Sequence, residues 1–283
     1  MLLTDQSFAP TPSLEMTSTP DLTLVGPKQI YVLKGGNGED AIVFIHGLGG
    51  NHIHFDAILQ TLNKEHRTVS YDLDGHGLTP IKPTTSISVE FYANDLYHLL
   101  EDLSIGKIKL VAHSMGCLVA LVFAIQWPQK VEKIVLLGPP PYPIPEPGRE
   151  SLRKRAEMVK QAGMTSIVEA VVTASTSLHT KNTNPLALSL VRMSILTTQP
   201  EGYAKACLAF ASDIEGLVPS KIHAPTLIIT GTEDQVCPPI VAQKLSSTIP
   251  GATAHILEEI GHQHVWEATE QVGKLVKGFL ESQ

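Results

Sequence analysis

Apolar and β-branched residues gather in short runs along the chain, at Ile30 to Leu33, Ala41 to Ile45, Thr68 to Tyr71, Lys107 to Ala112, Lys133 to Leu137, Thr226 to Thr230 and Thr253 to Leu257. Runs of this length and makeup predict strands. Between several of them the apolar spacing becomes that of a helix. Tyr92, Leu96, Leu99 and Leu103 recur behind a Ser88 cap, and Val272, Leu275, Val276, Phe279 and Leu280 recur near the C-terminus. Nearly continuous apolar strands alternating with helices predict an α/β chain with a mainly parallel, doubly wound sheet flanked by helices. Ligands of such a sheet belong at the carboxyl ends of its strands.

The alternation breaks once, from Pro139 to Val218, where Pro139, Pro140, Pro141, Pro143, Pro145 and Pro147 lead into helical stretches without a strand. Proline fixes φ and supplies no N–H, so the Pro-rich piece reads as a stiff connector into an inserted helical cap. The expected organisation is a core of residues 28–138 and 219–283, a cap of residues 139–218, and a flexible N-terminal arm of residues 1–27. That arm is rich in Thr, Ser and Pro and lacks the apolar stretch and cationic lead of a signal peptide.

Composition narrows the function classes. Hydrophobic residues are 43% and charged residues 17% of the 283, ordinary values for a globular chain. The net charge is −7 and no basic stripe is present, which argues against nucleic acid as a partner. No apolar run reaches the ~18 residues of a membrane span. Cys117, Cys207 and Cys237 lie far apart with no CxxC pair, which fits a reducing, cytoplasmic location.

The segment carrying most chemistry is Lys107-Ile-Lys-Leu-Val-Ala112-His113-Ser114-Met115-Gly116, a strand that turns on Ser114 straight into an apolar helix. So sharp a turn strains the serine and demands small residues two positions to either side, here Ala112 and Gly116. The helix N-terminus offers free N–H groups and positive potential beside the hydroxyl. Serine is inert without a base, and the base needs an orienting acid. The strand Thr226 to Thr230 ends in Gly231-Thr-Glu233-Asp234, which presents Asp234, with Glu233 as its rival. Asp234 is favoured because its shorter side chain holds the carboxylate more tightly after the glycine turn. The loop after Lys133 to Leu137 reads Gly138-Pro-Pro-Pro and has no carboxylate. His262 and His264 follow the last strand, and His262, just past Gly261, is the expected base. Backbone N–H groups of Leu48, in His46-Gly47-Leu48-Gly49-Gly50, and of Met115 form the expected oxyanion hole.

Together, His46-Gly-Leu-Gly-Gly50, Asp72-Leu-Asp-Gly-His76-Gly77, His113-Ser-Met-Gly116, Gly231-Thr-Glu-Asp234 and Gly261-His262 resemble the α/β-hydrolase fold superfamily from about Tyr31 to Leu280. The cap segments Gln161 to Met164, Pro200 to Ala206 and Phe210 to Asp213 are similar to the 3-oxoadipate enol-lactonase group. The resemblance implies a Ser114, Asp234, His262 triad that hydrolyses a carboxylic ester or lactone through an acyl-enzyme, without a cofactor. His113, Gly47 and Tyr203 are the expected substrate contacts. Asp74 stands where relatives usually carry Arg. The elbow is AxSxG rather than GxSxG, a difference of one methyl group.

Other readings stay open. The fold also serves small-ligand receptors, and the same machinery cleaves thioester, amide and carbon–carbon bonds. Epoxide opening is disfavoured, since the elbow carries Ser114 rather than Asp. His52-Ile-His54-Phe-Asp56 begins like a metal-ligand run, but Ala57 stands where a further His would follow. The chain leaves the oligomeric state and the acyl group open.

Overall fold

The computed structural model describes residues 18–25, 28–62, 65–82 and 85–282. Eight strands form one sheet: β1 (Ser18–Val25), β2 (Lys28–Gly35), β3 (Ala41–Ile45), β4 (Arg67–Tyr71), β5 (Ile108–His113), β6 (Val131–Leu137), β7 (Thr226–Gly231) and β8 (Thr253–Leu257). Their spatial order is β1-β2-β4-β3-β5-β6-β7-β8. The β1/β2 and β2/β4 pairs are antiparallel, and every other pair is parallel. The expected parallel sheet is present. Every residue of β3, β5 and β7 is buried, as strands covered on both faces require.

The edge strand β1 corrects one expectation. Ser18–Val25 fall inside the segment read as a flexible arm, yet they pair with β2 along their whole length. Their sequence, STPDLTLV, lacks the apolar run of a core strand and includes Pro20, which only an outer strand accommodates. Ladder pairing with β2 makes the strand. Residues 1–17 of the expected arm lie outside the described residues.

The helices are α1 (Asp56–Leu62), α2 (Val89–Asp102), α3 (Met115–Gln126), α4 (Glu146–Ala162), α5 (Val168–Ser175), α6 (Leu178–Thr183), α7 (Pro185–Leu196), α8 (Pro200–Phe210), α9 (Pro239–Thr248), α10 (His264–Glu267) and α11 (Thr269–Glu281). Ser88 caps α2 as expected, its side chain accepting the Phe91 N–H. Helix α3 is apolar all round and buried from Met115 to Ala124. Helix α11 instead buries one stripe, Val272, Val276 and Leu280, and packs on α1. All of α4 to α8 lie between β6 and β7 in the chain, with no strand among them. No helix of the described residues is long and apolar enough to cross a membrane.

Candidate active site

Four strand ends converge. The turn Gly47–Gly50 follows β3, Ser114 follows β5, Asp234 follows β7, and His262 follows β8. Because β3, β5, β7 and β8 all run the same way, these loops emerge on one edge of the sheet.

Ser114 sits at φ 54°, ψ −124°, a conformation costly for a residue with a Cβ. The neighbours expected to be small explain how it is held. A Cβ on Gly116 would lie 2.5 Å from the carbonyl oxygens of Ile45 and His46, so only glycine lets α3 start so close to β3. The Ser114 N–H is bonded to the Leu137 carbonyl at 2.9 Å.

The three side chains singled out by sequence meet in one line. Ser114 Oγ lies 2.8 Å from His262 Nε2, and His262 Nδ1 lies 2.9 Å from Asp234 Oδ2. Since a carboxylate only accepts, Nδ1 carries the imidazole proton and Nε2 faces the serine as acceptor. Asp234 Oδ1 is filled by the Val236 and Cys237 N–H groups, both at 2.8 Å. Burial pushes the Asp234 carboxyl up, but His262 and His264 outweigh it and hold the group far below the usual carboxylate range. Asp234 is therefore an anion that orients one tautomer of His262. Glu233, the rival acid, faces the cap instead, accepting the Leu178 N–H at 2.7 Å.

The turn after β3 closes through the Gly50 N–H on the Gly47 carbonyl at 2.9 Å. His46 supports it, its Nδ1 donating to the Gly47 carbonyl at 2.8 Å and its Nε2 accepting the Leu73 N–H at 3.0 Å. The N–H groups of Leu48 and Met115 make no hydrogen bond among the described residues. Gly47 faces the serine so closely that a Cβ there would lie 2.7 Å from the Ser114 Cβ.

Beside this turn is a cavity of about 30 Å³, lined by Gly47–Gly50, His54, His113, Val171, Val191, Ser194, Ile195, Gln263 and Trp266. Its volume suits about one water molecule. Of the expected substrate contacts, Gly47 and His113 border the cavity. His113 spends its Nε2–H on the His262 carbonyl at 2.9 Å, tying the serine loop to the histidine loop. Tyr203 is 1% exposed and lies behind the turn, against Gly49, so Ser194 and Ile195 of α7 form the wall there instead. Tyr203 is thus outside this cavity's wall, its ring beside Gly49 and its hydroxyl near Arg155.

Several residues take places at the site that the sequence reading did not assign them. His54 stacks on His113 at 4.3 Å and meets the Trp266 ring at 4.5 Å. Burial, reinforced by the neighbouring histidines, holds the pKa of both His54 and His113 well below that of an ordinary imidazole. His52 turns away and bonds Asp72 at 2.9 Å, so the HxHxD run splits between two environments. His264 Nε2 lies 3.3 Å from Asp234 Oδ2 without the alignment of a hydrogen bond. Glu267 clasps the His262 loop, accepting N–H groups of Ser177 at 2.8 Å, Gly261 at 3.1 Å and Gln263 at 2.9 Å. Its spacing from His262 was the available signal, but nothing local says that a glutamate one turn into a helix reaches back to three amides.

Similarity to known proteins agrees with this architecture. A family model described as the alpha/beta hydrolase fold matches residues 40–269. A 2-hydroxy-6-oxononadienedioate/2-hydroxy-6-oxononatrienedioate hydrolase of Burkholderia vietnamiensis is 27% identical over 258 residues, covering 87% of this chain and 88% of that one. A thermophilic esterase from Thermogutta terrifontis, solved with malate bound, superposes with a TM-score of 0.84 at 26% identity, over 93% of this chain and 97% of that one. The enol-lactonase from Burkholderia xenovorans LB400 superposes with a TM-score of 0.84 at 24% identity, over 93% of this chain and 100% of its own, a likeness of fold.

Proposed function

The chain belongs to the α/β hydrolase fold family, and from that premise we propose that it is a serine hydrolase cleaving a carboxylic ester or lactone. The observation that carries this reading is the hydrogen-bonded line from Ser114 Oγ through His262 to Asp234, at 2.8 Å and 2.9 Å. Ser114 Oγ attacks the carbonyl carbon as His262 Nε2 takes its proton. The carbonyl oxygen becomes an oxyanion and receives the free N–H groups of Leu48 and Met115, aided by the α3 N-terminus. Collapse of this intermediate expels the alkoxide, which takes the proton from His262. Water, deprotonated by His262, then attacks the acyl-serine and releases the acid. In a lactone, the departing alcohol remains part of the acyl chain. Asp234, kept ionised, stabilises the imidazolium in both halves.

Val171 of α5 and Val191, Ser194 and Ile195 of α7 face the Gly47–Gly50 turn and limit the size of the acyl group the site accepts. The three free cysteines are all buried, which supports work in the cytoplasm.

The test is turnover by Ser114→Ala across p-nitrophenyl esters of rising chain length and a set of lactones. A loss of about 10⁴-fold or more in kcat, with the circular dichroism of the fold retained, is expected. Full hydrolysis by that variant would overturn the mechanism. A second reading follows from the Burkholderia vietnamiensis relative. The nonadienedioate in its name contains no ester, so hydrolysis there breaks a carbon–carbon bond. A vinylogous 1,5-diketone in the same panel separates the two chemistries.

A further inference from the structure

One imidazole at the site takes no part in the hydrolytic steps. His54 is 2% exposed, and neither of its ring nitrogens makes a hydrogen bond among the described residues. Its contacts are ring faces and edges instead: His113 at 4.3 Å, Trp266 at 4.5 Å and Phe55 at 4.9 Å. A phenylalanine would make the same ring contacts without burying two polar atoms, so packing alone does not account for an imidazole here. A buried polar group left unanswered beside a cavity marks a bond kept for a ligand.

The surroundings say what kind. His54 lines the cavity of about 30 Å³ bordered by the Gly47–Gly50 turn. That turn carries the Leu48 N–H, and a Cβ on Gly47 would lie 2.7 Å from the Ser114 Cβ and 3.2 Å from His113 Nδ1. The cavity therefore lies against the nucleophile's own turn. No Lys, Arg, Asp or Glu of the described residues lines it, so a charged group would find no counter-charge there. The Ser194 hydroxyl is taken by the Gly49 carbonyl at 2.8 Å. The side-chain amide of Gln263, like His54, makes no hydrogen bond among the described residues. Burial and the neighbouring histidines keep His54 neutral, so one ring nitrogen donates and the other accepts. Val171, Val191, Ile195 and Trp266 make the rest of the wall apolar. A water-sized hollow of this makeup suits one uncharged polar group on an otherwise apolar chain.

Resting on the hydrolase reading, we propose that His54 is a specificity-determining residue that hydrogen-bonds a neutral hydroxyl or amide on the substrate's acyl chain, a few atoms from the carbonyl. The carbonyl oxygen sits at the Leu48 and Met115 N–H groups, the chain follows the Gly47–Gly50 turn, and its polar group meets His54, with Gln263 as a second partner. An acyl chain without such a group leaves the imidazole buried and unpaired, and is bound less well.

The experiment pairs p-nitrophenyl 3-hydroxybutanoate with the 3-methylbutanoate, which exchanges hydroxyl for methyl, and p-nitrophenyl 3-acetamidopropanoate with the hexanoate, a chain of equal length. Each rate is divided by the hydroxide-catalysed rate of the same ester, which removes intrinsic reactivity. In the unaltered protein at least one polar ester should exceed its apolar partner by about 10-fold or more in kcat/KM, expressed mainly in KM. His54→Phe should erase that preference, while His54→Gln, which still donates and accepts, keeps part of it. A ratio taken within each variant cancels any general effect of the substitution on the triad. No preference for either polar ester in the unaltered protein, or one that survives His54→Phe, overturns the proposal. Stability gives a readout independent of turnover. His54→Phe removes two unpaired buried nitrogens and keeps the ring stack, so its urea midpoint should equal or exceed that of the unaltered protein. A lower midpoint with equal losses on both esters of a pair would make His54 a packing residue and overturn the proposal. Calorimetric titration of Ser114→Ala, with and without His54→Phe, separates this outcome from failure of the hydrolase reading, because binding needs no turnover. Tighter binding of a polar ester that depends on His54 supports the subsite whatever the chemistry at Ser114, and equal binding of both esters overturns it.

Discussion

Asp234 and Glu233 are adjacent, alike in charge, and opposite in use. The loop bearing them is pinned to the loop after β8 by the Thr232 N–H on the Leu257 carbonyl at 2.8 Å and the Glu233 N–H on the Ile260 carbonyl at 2.9 Å. That pinning sends the shorter side chain inward to His262 and the longer one out to the cap. Asp234→Asn keeps the shape but no longer enforces the Nδ1–H tautomer, so kcat should fall by about 10³ to 10⁴-fold. Glu233→Gln should stay within a few-fold, since a neutral oxygen still accepts the Leu178 N–H. Equal losses in the two variants, measured by steady-state kinetics, would mean that the acid has been wrongly chosen. The sequence favoured Asp234 on side-chain length, and the fold adds a stronger reason, two backbone amides already holding its other oxygen.

Helix placement decides how the cap meets the core. Helix α8 rests on the turn after β4 through Gly202, where a Cβ would collide with the backbone of Gly75. This contact keeps Tyr203 against Gly49, and so behind the turn that offers the Leu48 N–H. Gly202→Val must lift α8, and overpacking of this kind costs about 1 to 3 kcal/mol. Urea unfolding should show that loss, and KM should change because α8 backs the Gly47–Gly50 turn and α7 lines the cavity beside it. Unchanged stability and kinetics would mean that the cap docks elsewhere. A glycine inside a helical pattern reads from sequence only as a weak spot; its purpose appears only when the facing backbone is known.

The molecule as a whole buries imidazoles that it keeps neutral. Burial first, and neighbouring histidines second, depress His54, His76 and His113, with His76 held at about 3. His46 is lowered by burial as well. As pH falls below about 6.5 the unfolded chain takes up protons that these folded sites refuse, so stability declines. Asp234, depressed in the fold, adds a further loss as pH falls below the ordinary carboxylate range. Asp95, which burial raises to about 6, and Asp56 and Asp74, which burial also raises, work the other way and stabilise the fold as they protonate, but they are outnumbered by the four histidines. The urea midpoint should therefore be flat above about pH 7 and fall between pH 6.5 and 5. A midpoint that holds or rises across that interval would show that the buried histidines accept protons in the folded state.

Sequence alone determined whatever depends on neighbours along the chain. Apolar runs set β2 to β8, the Ser88 cap set the start of α2, and the small residues flanking Ser114 set the elbow. The order serine, acid, histidine followed because each sits at the end of a recognisable strand. Whatever depends on partners far along the chain was decided by the tertiary structure. Ser18–Val25 became a strand only by pairing with β2, Glu267 became a clasp only when three amides came within reach, and His54 entered the site by stacking on His113. The unpartnered state of His54 Nε2 is of the same kind. A residue's type and local pattern are written in the chain, whereas the charge or hydrogen bond left unanswered beside it depends on distances that only folding sets.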